Sequence, residues 1–169
     1  MNKEDLVSVI MPTYNAGKYL ADSMNSILNQ TYKNLELLIT DDASTDPTTL
    51  QLLKEYASKD ERVKILYLKE NHGAGYARNK SIERAKGRYI AFCDSDDRWT
   101  TDKLEKQIAF MNKKKCALSC ASYIIFDGET QNEIGFCTAP KKITYSMMKR
   151  DNKVGCLTAV YDVQMLGRK

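Results

Sequence analysis

Val7-Ser8-Val9-Ile10-Met11 is a short, β-branched apolar run closed by Pro12, and it predicts a buried strand. Tyr19, Leu20, Met24, Ile27 and Leu28 then recur at the spacing of a helix with one apolar face. Residues 35–40 read as a second strand. It runs into Asp41-Asp42-Ala43-Ser44-Thr45-Asp46-Pro47, a polar turn in which Asp46 is placed to cap a helix and Pro47 to open it. Leu50, Leu53 and Ala57 mark one face of that helix, and residues 63–68 make a third predicted strand. Glu70-Asn71-His72-Gly73-Ala74-Gly75 is a glycine-rich loop. The helix after it has a face of small residues, Ala77, Ser81, Ile82 and Ala85, with Gly87 as its stop. Residues 89–93 predict a fourth strand that runs straight into Asp94-Ser95-Asp96-Asp97. Leu104, Ile108 and Met111 mark a further helix, residues 117–126 a fifth strand, and Asp127-Gly128 a turn.

Strands alternating with helices predict a mostly parallel central sheet covered on both faces, a three-layer α/β/α sandwich. No linker, internal repeat or low-complexity tract divides the 169 residues, a length that suits one domain. In such sheets ligands bind beyond the carboxyl ends of the strands. The polar and glycine-rich segments fall there: Thr13-Tyr14-Asn15 after the first strand, Asp41-Asp42 after the second, residues 71–75 after the third, residues 94–97 after the fourth. Topology alone gathers them on one edge.

Composition narrows the setting. The formal net charge is +4, with lysines spread along the chain. The densest run, Lys113-Lys114-Lys115, reads as a solvated helix end, with contact to anionic lipid headgroups or an anionic substrate as the sharper alternative. No basic stripe interleaved with aromatics is present, so nucleic acid is not an expected partner. No apolar run approaches the roughly 20 residues that span a bilayer. Met1-Asn2-Lys3-Glu4-Asp5 has no apolar stretch of signal-peptide type. The expected location is the cytoplasm, with peripheral association at the inner face of the membrane left open. The five cysteines, Cys93, Cys116, Cys120, Cys137 and Cys156, fit no zinc spacing and are expected to be reduced, buried thiols.

Asp94, Asp96 and Asp97 repel one another, and at the end of a buried strand they require a cation or protons. In an extended segment alternate side chains share a face. Asp94 and Asp96 can therefore converge, while Asp97 points elsewhere or caps a helix beginning near Thr100. Hard oxygen ligands suit Mn²⁺ or Mg²⁺, which would take one or two carboxylates and complete its shell with water and phosphate oxygens. Asp42 can accept hydrogen bonds from a base or ribose. Asp46 is the better cap, and Asp41 suits either role. Arg78 can pair with a diphosphate or stack near a base, against the plainer reading of a surface ion pair. His72, the only histidine, has no partner acid at triad spacing and reads as structural or exposed.

Taken in order, these segments resemble family 2 glycosyltransferases, which have the GT-A fold. The residues that carry the resemblance are Val7-Ser8-Val9-Ile10-Met11-Pro12-Thr13-Tyr14-Asn15, Leu28-Asn29-Gln30-Thr31-Tyr32, Asp41-Asp42-Ala43-Ser44-Thr45-Asp46, Asn71-His72-Gly73-Ala74-Gly75-Tyr76-Ala77-Arg78-Asn79 and Asp94-Ser95-Asp96-Asp97. The resemblance is tight from Val7 to Trp99 and looser beyond. It implies a nucleoside-diphosphate sugar donor, first of all a UDP-sugar, and a glycan or lipid-linked acceptor hydroxyl. The implied reaction inverts the anomeric centre and depends on Mn²⁺ or Mg²⁺. The substrate-binding set it implies is Pro12, Thr13, Tyr14, Asn15, Asp42, Gly73, Arg78, Asp94 and Ser95. The metal set is Asp96 and Asp94, with Asp97 able to replace Asp94.

The later chain departs from the family pattern. Gly155-Cys156-Leu157-Thr158-Ala159-Val160-Tyr161 resembles the strand before the family's catalytic base, and residues 162–166 a short helix. No acidic pair follows, and the carboxylates after Asp127 are Glu129, Glu133, Asp151 and Asp162. The expectation is one GT-A-like domain over residues 1–169, truncated at its C-terminal end, with its base beyond Lys169. Two enzyme alternatives fit less well. A nucleotidyltransferase would carry a glycine-rich basic loop after the first strand, where Pro12-Thr13-Tyr14-Asn15-Ala16-Gly17-Lys18 stands. A dinucleotide-binding oxidoreductase would need a third glycine where Arg78 stands. A nucleotide-binding module without transfer chemistry remains the non-enzyme reading.

Overall fold

β1 (Val7–Thr13), α1 (Tyr19–Leu28) and β2 (Leu35–Asp41) form the first crossover unit of the computed structural model, which describes residues 5–167. Met1 to Glu4, read above for the lack of a leader, lie outside the described residues, as do Arg168 and Lys169. Both strands are buried along their whole length, as strands covered on two faces must be. α2 (Pro47–Lys59) starts where the turn chemistry requires. The Asp46 carboxylate accepts from Thr49 N at 2.7 Å, and Pro47 occupies the first turn. β3 (Val63–Tyr67), α3 (Ala74–Arg84), β4 (Tyr89–Phe92) and α4 (Lys103–Lys114) follow. α4 begins later than expected from the sequence, and Asp102 rather than Asp97 precedes it.

The main sheet has the order β3-β2-β1-β4, then β8 (Val160–Asp162) and β5 (Leu118–Ser119). β1 pairs in parallel with β2 and with β4, and β2 pairs in parallel with β3. β8 runs antiparallel to both of its neighbours. The chain therefore steps outward from β1 to β3 and then returns across β1 to β4. Alternation along the strands separates two cores. Val7, Val9 and Met11 pack with Leu20, Met24 and Ile27 of α1, Leu53 of α2 and Leu104, Ile108 and Met111 of α4. Ile10 and Leu38 pack on the other face with Ile82 and Ala85. α3 comes close to that face through small residues, and Thr40 and Ser81 share a hydroxyl hydrogen bond of 2.7 Å.

Several local expectations change. The apolar run 117–126 is not one strand. Only Leu118–Ser119 stays with the main sheet, while β6 (Tyr123–Phe126) leaves it to pair with β7 (Glu133–Cys137) across the predicted Asp127-Gly128 turn. An apolar run reports strand propensity but not which partner each part takes. Gly87 does not stop α3, which ends at Arg84. Instead Gly87 lies against β1, where an added Cβ would sit 2.6 Å from Ser8 N. Its own N–H donates to Ser8 Oγ, which donates to the buried Glu36 carboxylate. Segment 155–161 holds a 3-10 turn at Cys156–Thr158 before β8, and α6 (Val163–Leu166) is the expected short helix. α5 (Tyr145–Arg150) lies in the intervening segment. The cysteines are all free, but only Cys93 is buried and Cys137 is exposed. The lysines at 113–115 are exposed at the end of α4. Among the described residues no helix is long and apolar enough to cross a membrane.

Gln30 ties this scaffold to the acidic loop, and it carried no chemical expectation from the sequence. It is fully buried just after α1. Its Nε2 donates to Ser26 O and Thr100 O at 2.9 and 2.7 Å, and its Oε1 accepts from Leu104 N at 3.0 Å. Each buried group left unpaired costs about 1–3 kcal/mol. Gln30→Ala is expected to lower unfolding free energy by about 2–4 kcal/mol in urea titration, with an unchanged m-value.

Candidate functional site

The strand order reverses between β1 and β4, and a crevice forms there beyond the carboxyl ends of the strands. Four loops enter it, one from each parallel strand. The first two loops are tied by Asn15, whose backbone takes a positive φ of 48°. Asn15 Oδ1 accepts from Thr45 N at 2.8 Å and from Asp46 N at 2.9 Å, and its own N–H donates to Ser44 Oγ. The second and third are tied by Asp42. Its carboxylate accepts from His72 N and from Gly73 N, the latter at 2.7 Å, and Asn71 Nδ2 donates to its backbone oxygen. The third and fourth are tied by Arg78, whose NH2 donates to both oxygens of Asp94 at 2.8 Å. The acidic loop is held from behind by Ser23 Oγ, which donates to Ser95 O.

A cavity of about 200 Å³ lies where these ties meet. It is lined by Pro12, Thr13, Tyr14, Asp42, Ala74, Arg78, Asp94, Ser95 and Asp96. Of the residues singled out in the sequence, Asn15, Gly73 and Asp97 are not part of that lining. Asn15 and Gly73 take part in the ties between loops. Two polar atoms beside the cavity are buried without a hydrogen-bond partner among the described residues, Thr13 Oγ1 and Arg78 Nε. A folded chain rarely leaves such groups unpaired, and they mark where ligand oxygens would be received.

The acidic residues divide by environment. Asp94 is committed to Arg78. Asp96 is exposed, and its carboxylate enters no hydrogen bond or ion pair among the described residues. Asp97 is half-buried. Burial, and then the neighbouring Asp94 and Asp96 carboxylates, push its pKa up to about 6. One guanidinium thus faces three carboxylates, and the surplus negative charge suits a divalent cation. No three His, Cys, Asp or Glu side chains among the described residues converge on a ready-made metal position. The set instead fits an ion that takes one or two carboxylates and draws its other ligands from water and phosphate. His72 is exposed, with its ring 4.5 Å from that of Tyr76. The Cys156 thiol sits near Arg78, and burial followed by Asp94 pushes its pKa up, which keeps it protonated.

Comparison with known proteins bears on this geometry. The family model described as Glycosyl transferase family 2 matches residues 8–161. A Bacillus subtilis protein with the provisional name teichuronic acid biosynthesis glycosyltransferase is 44% identical over 167 residues, covering 99% of this chain and 66% of that protein. The Escherichia coli UDP-Glc:alpha-D-GlcNAc-diphosphoundecaprenol beta-1,3-glucosyltransferase is 42% identical over 161 residues, covering 95% of this chain and 62% of that protein. The chain thus spans less than two thirds of the length of these relatives. The structure of S. aureus TarS residues 1–349 in complex with UDP-GlcNAc matches with a TM-score of 0.74 at 28% identity, over 95% of this chain and 46% of that one. A Pyrobaculum calidifontis mannosyltransferase structure matches with a TM-score of 0.70 at 19% identity, over 99% of this chain and 48% of that one, a likeness of fold.

The charge surplus has a measurable consequence. Asp97 has a folded-state pKa above its unfolded value, so the folded chain holds the proton more tightly. Its stabilising contribution is present at low pH and is lost as pH rises through about 6. Asp97→Asn is expected to stabilise the chain at pH 7.5 by about 1–2 kcal/mol, allowing for the screening of a half-buried group, and to change little at pH 4.5. Thermal melts of both proteins at the two pH values check this.

Proposed function

The chain belongs to glycosyl transferase family 2, and from that premise we propose that its β1–β4 crevice binds the donor of a sugar transfer from a UDP-sugar to a hydroxyl of a glycan or lipid-linked acceptor. The single observation that carries this reading is the convergence of Thr13, Asp42, Arg78, Asp94 and Asp96 on one cavity at the switch point of the sheet. The TarS structure, similar over most of this chain, was solved with UDP-GlcNAc, and the E. coli relative is named for a UDP-glucose donor and a diphosphoundecaprenol-linked acceptor.

The roles follow from the contacts. Asp42 holds the glycine loop through two backbone amides, which sets the wall against which a base and ribose would lie. Thr13 Oγ1 and Arg78 Nε lie buried beside the cavity without a hydrogen-bond partner among the described residues, on the side where donor oxygens would enter. Arg78 supplies positive charge to the diphosphate side while Asp94 fixes its orientation. Asp96 is the carboxylate available to Mn²⁺ or Mg²⁺, with Asp94 and Asp97 beside it. A bound divalent cation would supply positive charge to the diphosphate as it leaves. In the transfer, the acceptor oxygen forms a bond to C1 of the sugar as the bond from C1 to the diphosphate oxygen breaks. Attack from the face opposite the leaving group inverts the anomeric centre. The acceptor's proton passes to a carboxylate base. Asp42 and Asp94 are already engaged by amides and by Arg78, so neither serves as that base. With a lipid-linked acceptor the reaction would sit at the cytoplasmic face of a membrane, which the unpaired cysteines suit.

Calorimetric titration with UDP, with and without Mn²⁺, tests the reading. Binding is expected to be tighter with Mn²⁺. Asp96→Ala should weaken the Mn²⁺-dependent binding at least tenfold, and Ser95→Ala less than threefold, about 1.4 kcal/mol separating a factor of ten. Equal effects of the two substitutions would remove Asp96 from the metal site. Absence of UDP binding under either condition would sink the donor assignment.

A further inference from the structure

Residues 139–155 leave the body of the protein and return to the point they left. At the start, Ala139 N donates to Ser122 Oγ at 3.0 Å. At the end, Gly155 lies against the next residue of β6, where an added Cβ would sit 2.9 Å from Tyr123 Cε1. Between these two points no residue is buried, and α5 within the excursion has no buried side chain. The excursion is nevertheless not polar throughout. Tyr145 is 78% exposed and Met148 38% exposed, one helical turn apart. Lys149 shares their face, with its Nζ 5.3 Å from the centre of the Tyr145 ring.

Charge is concentrated on the same segment. It holds five of the chain's 26 lysines and arginines and one of its 22 aspartates and glutamates. That surplus equals the formal net charge of the whole chain, +4. The single acid, Asp151, is paired with Lys153. Lys141, Lys142, Lys149 and Arg150 are exposed and form no ion pair among the described residues. Exposed apolar side chains set among unpaired cations call for a partner with negative charge at its surface and hydrocarbon just beneath. An anionic lipid leaflet has that layering. Tyrosine is at home at the boundary, and lysine stems can lie along it with their amines in the headgroups.

Placement separates this segment from the other basic run. The Tyr89 hydroxyl, at the start of β4, donates to Asn112 Oδ1 at 2.8 Å. Lys113-Lys114-Lys115 therefore sit at the edge of the sheet away from the crevice. The base of the 139–155 excursion is on the crevice side. Tyr123 and Leu157, which flank its return, line a space of about 410 Å³ together with Asp96 and Asp97. The Trp99 indole N–H, donating to Leu157 O at 2.9 Å, fixes that base to the acidic loop.

We propose that residues 139–155 are a peripheral membrane contact, in which Tyr145 and Met148 enter the headgroup layer of an anionic lipid surface and Lys141, Lys142, Lys149 and Arg150 pair with its phosphates. A contact there would hold the space beside Asp96 close to the lipid surface. That use of it, to present a lipid-linked acceptor, rests on the glycosyl-transfer reading. The contact itself does not, so vesicle binding by a chain without UDP affinity would sink the donor assignment and leave the lipid contact standing.

Cosedimentation of the full chain with vesicles tests the proposal. Partition into phosphatidylcholine vesicles with about 30% phosphatidylglycerol is expected to be at least about tenfold stronger than into phosphatidylcholine alone, and to weaken as salt is raised. Lys141→Ala combined with Lys142→Ala should lower it about tenfold, and Tyr145→Ser about fivefold. Lys113→Ala, Lys114→Ala and Lys115→Ala together should lower it less than about twofold, because that run faces away. All are expected to keep the wild-type melt, since none replaces a buried side chain. Insertion is read separately from fluorescence. Tyr145→Trp should be quenched by brominated phosphatidylcholine in the anionic vesicles, and Phe110→Trp, at an exposed position of α4, should not. The proposal is overturned if the chain does not sediment with anionic vesicles, if both vesicle types bind equally, or if the 113–115 variant loses as much as the 141–142 variant. Quenching at position 110 but not at 145 would overturn it as well. So would self-association without lipid that Tyr145→Ser abolishes, which would make a second copy the occupant of this surface.

Discussion

Crossovers between parallel strands are right-handed, and that handedness decides where the chemistry of this chain can be. Passing outward from β1 to β2 and β3 keeps α1 and α2 on one face of the sheet. Returning across β1 to β4 forces α3 onto the opposite face. The strand ends of β1 and β4 then diverge into loops that lead to opposite layers, and a crevice opens between them. Thr13 and Asp94 lie beside each other for that reason, although some eighty positions separate them in sequence. The contacts that make α3 fit are small ones: Ala77, Ser81 and Gly87 bring helix and loop close against β1 and β2.

Electrostatics then sets how the crevice behaves. Arg78 and Asp94 neutralise each other across two loops, which leaves Asp96 and Asp97 without a counter-charge of their own. The folded chain tolerates this by exposing Asp96 and by raising the proton affinity of Asp97. The opposite imbalance occurs a short distance away, where the Lys103 amine is buried beside Trp99 with no acceptor.

Rigid support for the site loops comes from hydrogen bonds between elements. Gln30 and Ser23 pin the acidic loop and the start of α4 to α1, and Trp99 Nε1 donates to Leu157 O to hold the 3-10 turn against the same loop. Asp42 and Asn15 do the corresponding work on the donor side. Both accept hydrogen bonds from backbone amides of neighbouring loops, which fixes the loops that border the crevice.

Much of this was legible from residue order alone. The β-branched runs, the Asp46-Pro47 cap and the glycine loop announce alternating strands and helices, because strand and helix periodicities are local properties of the chain. Placing Thr13, Asp42, Arg78, Asp94 and Asp96 on one edge needed only the rule that ligands meet the carboxyl ends of parallel strands. What a side chain does once it arrives there depends on which donors and charges surround it, and that is a tertiary matter. Periodicity could not show that Asp94 would be taken by Arg78, that Asp97 would be half-buried among like charges, or that β6 would leave the sheet to form a hairpin. Nor could it show the buried amine of Lys103, which in the sequence is one more lysine on the polar side of a helix and becomes distinctive only when Trp99 and the hairpin close around it.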